Sequence, residues 1–317
     1  MSISVVVPVY QSARIVPSLV DRVTAVLRAT GAPWEVVLVN DGSSDGSWEA
    51  IRAACASHAG VRALDLMSNF GQHNAILAGV RAARYDVVVT LDDDLQNPPE
   101  EIPKLVAALD DGHDVVYGTP LAARHGLLRN LASSLTKLAL RSAMGVDVAE
   151  KVSSFRAFRT QLRDGFAEYR SDYVSIDVLL TWSTRRFASV PVRHDSRAEG
   201  ASTYSLRKLV RHALNMVTGF SVLPLQVASL IGFALTAFGI GVLAYVVLRY
   251  LALGYSVPGF PFLASIIAIF SGAQLFALGI IGEYIARIHF RVLDRPAYVV
   301  RRELEAPPVP GEVRGRP

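Results

Sequence analysis

The sequence predicts an α/β fold: a Rossmann-like, mostly parallel sheet, followed by a juxtamembrane amphipathic helix and two transmembrane helices. Three observations carry this. Short apolar, β-branched runs (ISVVVPVY, WEVVLVN, VRALDL, DVVVTL, DVVYG) alternate with amphipathic stretches from the first residue onward, as in repeated strand–helix–strand units. Polar clusters fall where these runs end. Between Arg211 and Glu283 the only formally charged side chain is Arg249, a stretch far longer than a soluble core helix needs.

Taken in order, the first run lacks a basic leader and reads as a strand rather than a cleavable signal, so the amino-terminal domain is expected in the cytoplasm. Helices are expected over residues 13–29, 47–58, 72–83 and 99–110. Beyond residue 121 the alternation is less regular. A helix is expected over 127–144, a strand at SSFRAF, helices over 161–169 and 174–182, and a strand over 187–192. After the polar loop RHDSRAEGASTYS, residues 206–220 place Arg207, Lys208 and Arg211 on one side with apolar residues opposite. That suits a helix lying on a membrane, the alternative being an ordinary surface helix. Residues 222–248 and 260–282 are each long enough to cross a bilayer, for which about 20 residues suffice. A Pro/Gly-rich turn separates them.

Basic residues precede the first span and follow the second (Arg287, Arg291, Arg295, Arg301, Arg302), whereas the turn between has Arg249 alone. The positive-inside tendency then puts both termini in the cytoplasm. The expected organisation is a catalytic domain over 1–204, the amphipathic helix over 205–221, a membrane hairpin over 222–290 and a cytoplasmic tail over 291–317. The tail's EAPPVPGEVRGRP end reads as disordered. Of the 317 residues 51% are hydrophobic and one is cysteine, which excludes a disulfide framework and a cysteine metal cluster. Cys55 reads as a small buried helix residue.

The chemistry concentrates in DVVVTLDDDLQNPPE. Three consecutive carboxylates at the end of a buried strand repel one another unless water, a cation or a helix N-terminus offsets them. On an extended strand end Asp92 and Asp94 share a face and Asp93 takes the other. A D-x-D pair is a hard oxygen site for Mg²⁺ or Mn²⁺, which hold diphosphates through one or two carboxylates. The alternative is an acidic helix cap, which needs one acid, not three. Taken alone NDGSSDGS reads equally as an ordinary turn; with three polar strand ends converging on one crevice, Asp41 is expected to accept hydrogen bonds from a ribose or base, and Asp45 to cap the next helix. SNFGQHN closes the third strand, and ligands of such sheets bind beyond the carboxyl ends of the strands.

VVVPVY, NDGSSDGS, NFGQHNAI, LDDDLQNPPEEI, RAEGASTY and GIIGEYIARI occur in the order and approximate spacing of the polyprenyl-phosphate glycosyltransferases. The chain resembles that family over nearly its whole length. These are family-two inverting enzymes of GT-A fold. They include dolichol-phosphate mannose synthases, bactoprenol glucosyltransferases and undecaprenyl-phosphate formamido-arabinose transferases; the acidic segment looks most like the last.

The resemblance implies that Pro8, Tyr10 and Asp41 hold the base and ribose, with Asn69 and Gly71 lining the same pocket. It implies that Asp92 and Asp93 approach the sugar diphosphate and that Asp94 and Gln96 ligate Mg²⁺ or Mn²⁺. Arg197, in R-x-x-G-x-S-x-Y, would contact the diphosphate or be a solvated loop cation, with Ser202 and Tyr204 shaping that loop. The family often has an aspartate before its FR pair, where this chain has Ser154. Asp177 then remains as the acceptor-orienting acid, beside Asp92 and Asp94 in the catalytic set, or else a helix-surface acid. Gln11 and Thr203 also depart from the pattern; the latter replaces a lysine. Arg129, Lys137, Arg207 and Lys208 are the cations that would meet the lipid phosphate in its place, or else each serves as an interfacial anchor.

The implied partners are a nucleotide-diphosphate sugar (a UDP-sugar rather than GDP-mannose), undecaprenyl or decaprenyl phosphate, and the bacterial inner membrane. No nucleic acid is implied, and the assembly would be a homo-oligomer such as a tetramer. Two other readings stay open. A polysaccharide synthase shares the amino-terminal pattern but needs a Q-x-x-R-W motif and more spans. A catalytically silent membrane protein would bind nucleotide sugar or lipid phosphate without turning it over.

Overall fold

The structure, a computed structural model, describes residues 1–120, 152–170, 174–195, 223–253, 259–293 and 295–305. The chain divides into two compact units, Met1–Ser205 with Asp294–Pro317, and Leu206–Leu293.

The first unit is built on an eight-stranded mixed sheet in the order β7-β5-β6-β4-β1-β2-β3-β8. Its first strands are β1 (Ile3–Val9), β2 (Trp34–Asn40), β3 (Val61–Leu66) and β4 (Val87–Thr90). They run parallel, with β1 between β2 and β4. They are buried on both faces, which is why β1 and β4 read as nearly continuous apolar stretches, while in β2 and β3 the buried Glu35 and Arg62 pair with each other. Pro8 is tolerated here because β4 pairs with β1 only as far as Val6, leaving Pro8 a partner on one side alone. The sheet continues through β5 (Val115–Pro120), β6 (Arg156–Arg159) and β7 (Phe187–Val192). β6 lies antiparallel between β4 and β5, and β7 runs parallel to β5.

Helices cover the faces. α1 (Val16–Ala29) buries Leu19, Val20, Val23 and Leu27 along one stripe. α2 (Ser47–Ser57) follows β2, and α3 (Gln72–Ala82) follows β3. A Cβ at Gly79 would come within 2.3 Å of the Val6 side chain, so the glycine lets α3 lie close on β1. A short 3₁₀ turn, Pro99–Glu101, leads into α4 (Ile102–Asp110), and α5 is Ile176–Ser183.

Two expectations change. Over 161–169 the chain forms a 3₁₀ helix, Thr160–Phe166, instead of an α-helix. Gly165 within it presses on Ser183 of α5, where a Cβ would meet the hydroxyl at 2.1 Å, and glycine is a poor α-helix former. The tail is also not wholly separate from the domain. Val300–Leu304 forms β8, antiparallel to β3, and closes that edge of the sheet. Leu304 packs on the core while Glu303 and Arg302 pair with Arg62 and Asp65. The helices expected over 127–144 and 206–220 and the segment 306–317 lie outside the described residues.

The second unit contains α6 (Leu223–Leu253) and α7 (Phe260–Val292). Pro224–Ala252 has a mean hydropathy of 2.3 and Ile269–Ala286 of 1.5, and both are long enough to cross a membrane. Phe233 and Leu251 are each 74% exposed. Side chains this apolar, displayed all along two helices, need lipid as their solvent.

Candidate active site

The site is assembled where β1, β2, β3 and β4 end. Asp41, the first residue after β2, is 2% exposed. One carboxylate oxygen accepts the Phe70 N–H at 2.7 Å and the other the Gly71 N–H at 2.9 Å. Burial raises its carboxyl above the ordinary aspartate range, and the two amides oppose that rise. The next residue, Gly42, has φ +65°, and a Cβ there would lie 2.4 Å from the Ser68 carbonyl carbon. The loops after β2 and β3 therefore touch backbone to backbone, which only glycine permits. Sequence reasoning gave Asp41 a direct contact with ribose or base; in the structure its carboxylate fixes the loop that carries Asn69.

The acidic triplet lies beyond β4, which ends at Thr90. The alternation of an extended strand thus does not set its directions. A turn does, through Leu95, held buried at φ +57° between Asp94 and Gln96. The three acids go separate ways. Asp92 accepts hydrogen bonds from the Gln72 amide at 2.6 Å and from the Ser154 hydroxyl. Asp93 accepts from the Ser12 hydroxyl at 2.6 Å and the Tyr10 N–H at 3.2 Å, tying the triplet to the end of β1. Asp94 accepts the Gln96 N–H at 3.1 Å. Burial pushes the Asp92 and Asp93 carboxyls above the usual range, and the neighbouring carboxylates push in the same direction.

Behind Asp92 runs a buried polar chain. Thr90 donates to the Ser154 carbonyl at 2.7 Å, and the Arg156 Nε donates to the Thr90 hydroxyl at 3.1 Å. Arg156, 1% exposed, is also ion-paired with Asp177, which accepts the Tyr117 hydroxyl at 3.1 Å. Asp177 is therefore neither a surface acid nor an acid facing an acceptor. It sits 5% exposed beneath the site as the counter-ion of Arg156. The reason is legible in its setting, IDVLL, where an acid inside an apolar helix start needs a buried cation.

Of the remaining predicted residues, Tyr10 and Asn69 are exposed at the rim and Gln96 is half-buried, whereas Pro8 is buried inside β1. Gly71 opens α3 at φ +92°. Arg197, Ser202, Tyr204, Arg129, Lys137, Arg207 and Lys208 lie outside the described residues. Ser12, Gln72 and Arg156 were not anticipated. Arg156 had a signal, since an arginine in an apolar strand must find a partner.

Among the described residues no three His, Cys, Asp or Glu side chains are grouped to hold a metal by themselves. The donor set still fits a hard divalent ion. Asp94 and Gln96 offer oxygens on either side of one turn, and such an ion takes its other ligands from diphosphate and water. Burial first, and the neighbouring Asp94 and Asp93 carboxylates after it, raise the Asp92 carboxyl, an environment a cation relieves.

Residues 4–169 match the model of glycosyl transferase family 2. The undecaprenyl-phosphate 4-deoxy-4-formamido-L-arabinose transferase of Pectobacterium carotovorum subsp. carotovorum is 38% identical over 309 residues, 96% of this chain and 94% of that one. Its counterpart from Salmonella paratyphi A is 35% identical over 303 residues, 95% of this chain and 93% of that one. Glucosyl-3-phosphoglycerate synthase from Mycobacterium tuberculosis, solved with Mn²⁺, uridine diphosphate and glucosyl-3-phosphoglycerate, superposes with a TM-score of 0.48 at 20% identity, over 68% of this chain and 77% of that one. By the extent and identity of these sequence matches, the chain belongs to glycosyl transferase family 2.

Proposed function

We propose that this chain is a membrane-bound inverting glycosyltransferase that moves a sugar from a UDP-sugar to undecaprenyl or decaprenyl phosphate, making a lipid-linked sugar for modification of the cell envelope. The observation that carries the reading is the convergence of Asp92, Asp94, Tyr10 and Asn69 at the strand ends of a chain that also holds two membrane-length helices. The near full-length likeness to transferases named for undecaprenyl phosphate supports it.

In this reading Tyr10 and Asn69 border the nucleotide, with Pro8 beneath them and Asp41 holding the 68–71 loop in place. Asp92 and Asp93 face the sugar diphosphate. Asp94 and Gln96 would hold Mg²⁺ or Mn²⁺, which when bound stabilises negative charge on the departing diphosphate. A phosphate monoester has its second pKa near 6, so the lipid phosphate is largely ionised at neutral pH and needs no strong base. Ser154 in place of an acid, and Asp177 committed to Arg156, are compatible with that chemistry. Arg197 and Ser202 are assigned to the donor diphosphate, and Arg129, Lys137, Arg207 and Lys208 to the lipid phosphate, drawn by a membrane-proximal basic cluster. The domain and both termini face the cytoplasm of a bacterial inner membrane, the protein acts as a homo-oligomer, and nucleic acid plays no part.

The test is to incubate membranes containing the protein with undecaprenyl phosphate, Mg²⁺ or Mn²⁺ and a panel of UDP-sugars, and to follow lipid-linked sugar by mass spectrometry. Product with one donor supports the reading. Binding of UDP and lipid without product from any donor would favour a silent binding protein, the reading that Ser154 keeps in view.

A further inference from the structure

The loop of residues 67–71 is held from outside as well as from within. Inside, Asp41 takes the N–H groups of Phe70 and Gly71. Outside stands β8, the strand that follows the second membrane-length helix. The Met67 N–H donates to the Val299 carbonyl at 2.9 Å, and the Met67 carbonyl accepts from the Arg301 guanidinium at 2.9 Å. Both backbone groups of the first loop residue are therefore latched by β8 and the residue just before it.

A register shift makes this possible. Asp65 lies opposite Arg302 and Leu66 opposite Val300, so Arg301 is the extra residue of a bulge, and a bulge re-aims a side chain out of alternation. Arg302 then reaches Asp65 at 3.3 Å and lies over the Trp48 ring of α2 at 5.5 Å. Asp65 also accepts from the Asn40 amide at 2.8 Å, one residue before Asp41. Ahead of the strand, Ala297 and Tyr298 join the same apolar cluster as Phe70 and Leu66.

We propose that β8 is a positioning element of the donor pocket. Arg301, backed by Arg302, holds the 67–71 loop in the conformation that receives the nucleotide, so the segment emerging from the membrane hairpin sets donor affinity. The proposal rests on the reading of that loop as the nucleotide pocket. A charged donor on a loop carbonyl limits the loop's alternatives, and a pocket populated less often binds in proportion more weakly.

The experiment uses the full-length protein in detergent, with UDP and Mg²⁺ as the probe. Dissociation constants are read by calorimetry, and amide exchange over residues 67–71 by mass spectrometry. Arg301→Ala should weaken UDP binding roughly three- to tenfold and speed exchange in the loop. Arg301→Lys, which restores a cationic donor, should recover most of both. Arg84→Ala removes the ion pair with Glu305 at the far end of the strand, 2.6 Å long, and should change neither. Wild-type affinity and exchange in Arg301→Ala would overturn the proposal. So would an equal loss in Arg84→Ala, which would mark β8 as a general stabiliser. Failure of the folded wild type to bind UDP would overturn the assignment of the pocket itself, and this proposal with it.

Discussion

Asp41→Asn separates two roles for one carboxylate. In the structure the group accepts two backbone N–H bonds at 2.7 and 2.9 Å from a site only 2% exposed. The amide keeps one uncharged acceptor oxygen and turns an NH₂ toward the other N–H, so one bond to the carboxylate is lost outright, the other loses its charge assistance, and a buried N–H is left without an acceptor. Hydrogen bonds to charged groups contribute about 1.5–3 kcal/mol. The loop should therefore open roughly ten- to a hundredfold more often. For a domain of this size each kcal/mol lowers the melting midpoint by about 2–4 °C. The assay is amide exchange over residues 67–71 in the ligand-free protein, run beside the affinity for UDP. Faster exchange with weaker UDP binding is the expected pair. Weaker binding with unchanged exchange would refute the reasoning, because it would mean that Asp41 touches the nucleotide directly and does not hold the loop.

Other outcomes follow from the same geometry. Arg156→Met leaves Asp177 buried without its ion-pair partner and should cost about 3–5 kcal/mol; adding Asp177→Leu should return much of the lost melting midpoint, and no recovery would count against the pairing. Burial lifts the Cys55 thiol to about 11, so iodoacetamide at mildly alkaline pH should label it only after unfolding, as mass spectrometry would report. The Arg22 hydrogen bond holds the Glu100 carboxyl below its ordinary range. The stability this adds is present above the unfolded pKa and fades as pH falls through the lower folded value. Glu100→Gln should accordingly flatten the acid limb of a midpoint-against-pH curve.

What the sequence made legible was set by local pattern. The runs that became β1 to β4 announced themselves because most of their residues are apolar and many β-branched, and the polar clusters at their ends marked the crevice. Arg301 and Arg302 hid β8 by looking like membrane-flanking charges. Their partners, Asp65 and Met67, lie more than two hundred residues earlier in the chain, beyond the reach of any periodicity. The acidic triplet was recognisable as a site, but its sorting was not. Which acid meets Ser12, which meets Gln72 and Ser154, and which remains beside Gln96 depends on three distant elements and on a left-handed Leu95. Asp177 misled for the opposite reason: read as a free acid at the start of a helix, it needed Arg156, from strand β6, to show that it was already paired.

The most direct measurement of the central claim is transfer of sugar to undecaprenyl phosphate by membranes carrying the wild type or Asp94→Ala, with and without EDTA, read as lipid-linked product by mass spectrometry. The account predicts product from the wild type with Mg²⁺ or Mn²⁺, loss of product with EDTA, and loss in Asp94→Ala while the protein stays folded. Undiminished transfer by Asp94→Ala, or by the chelated wild type, would contradict it.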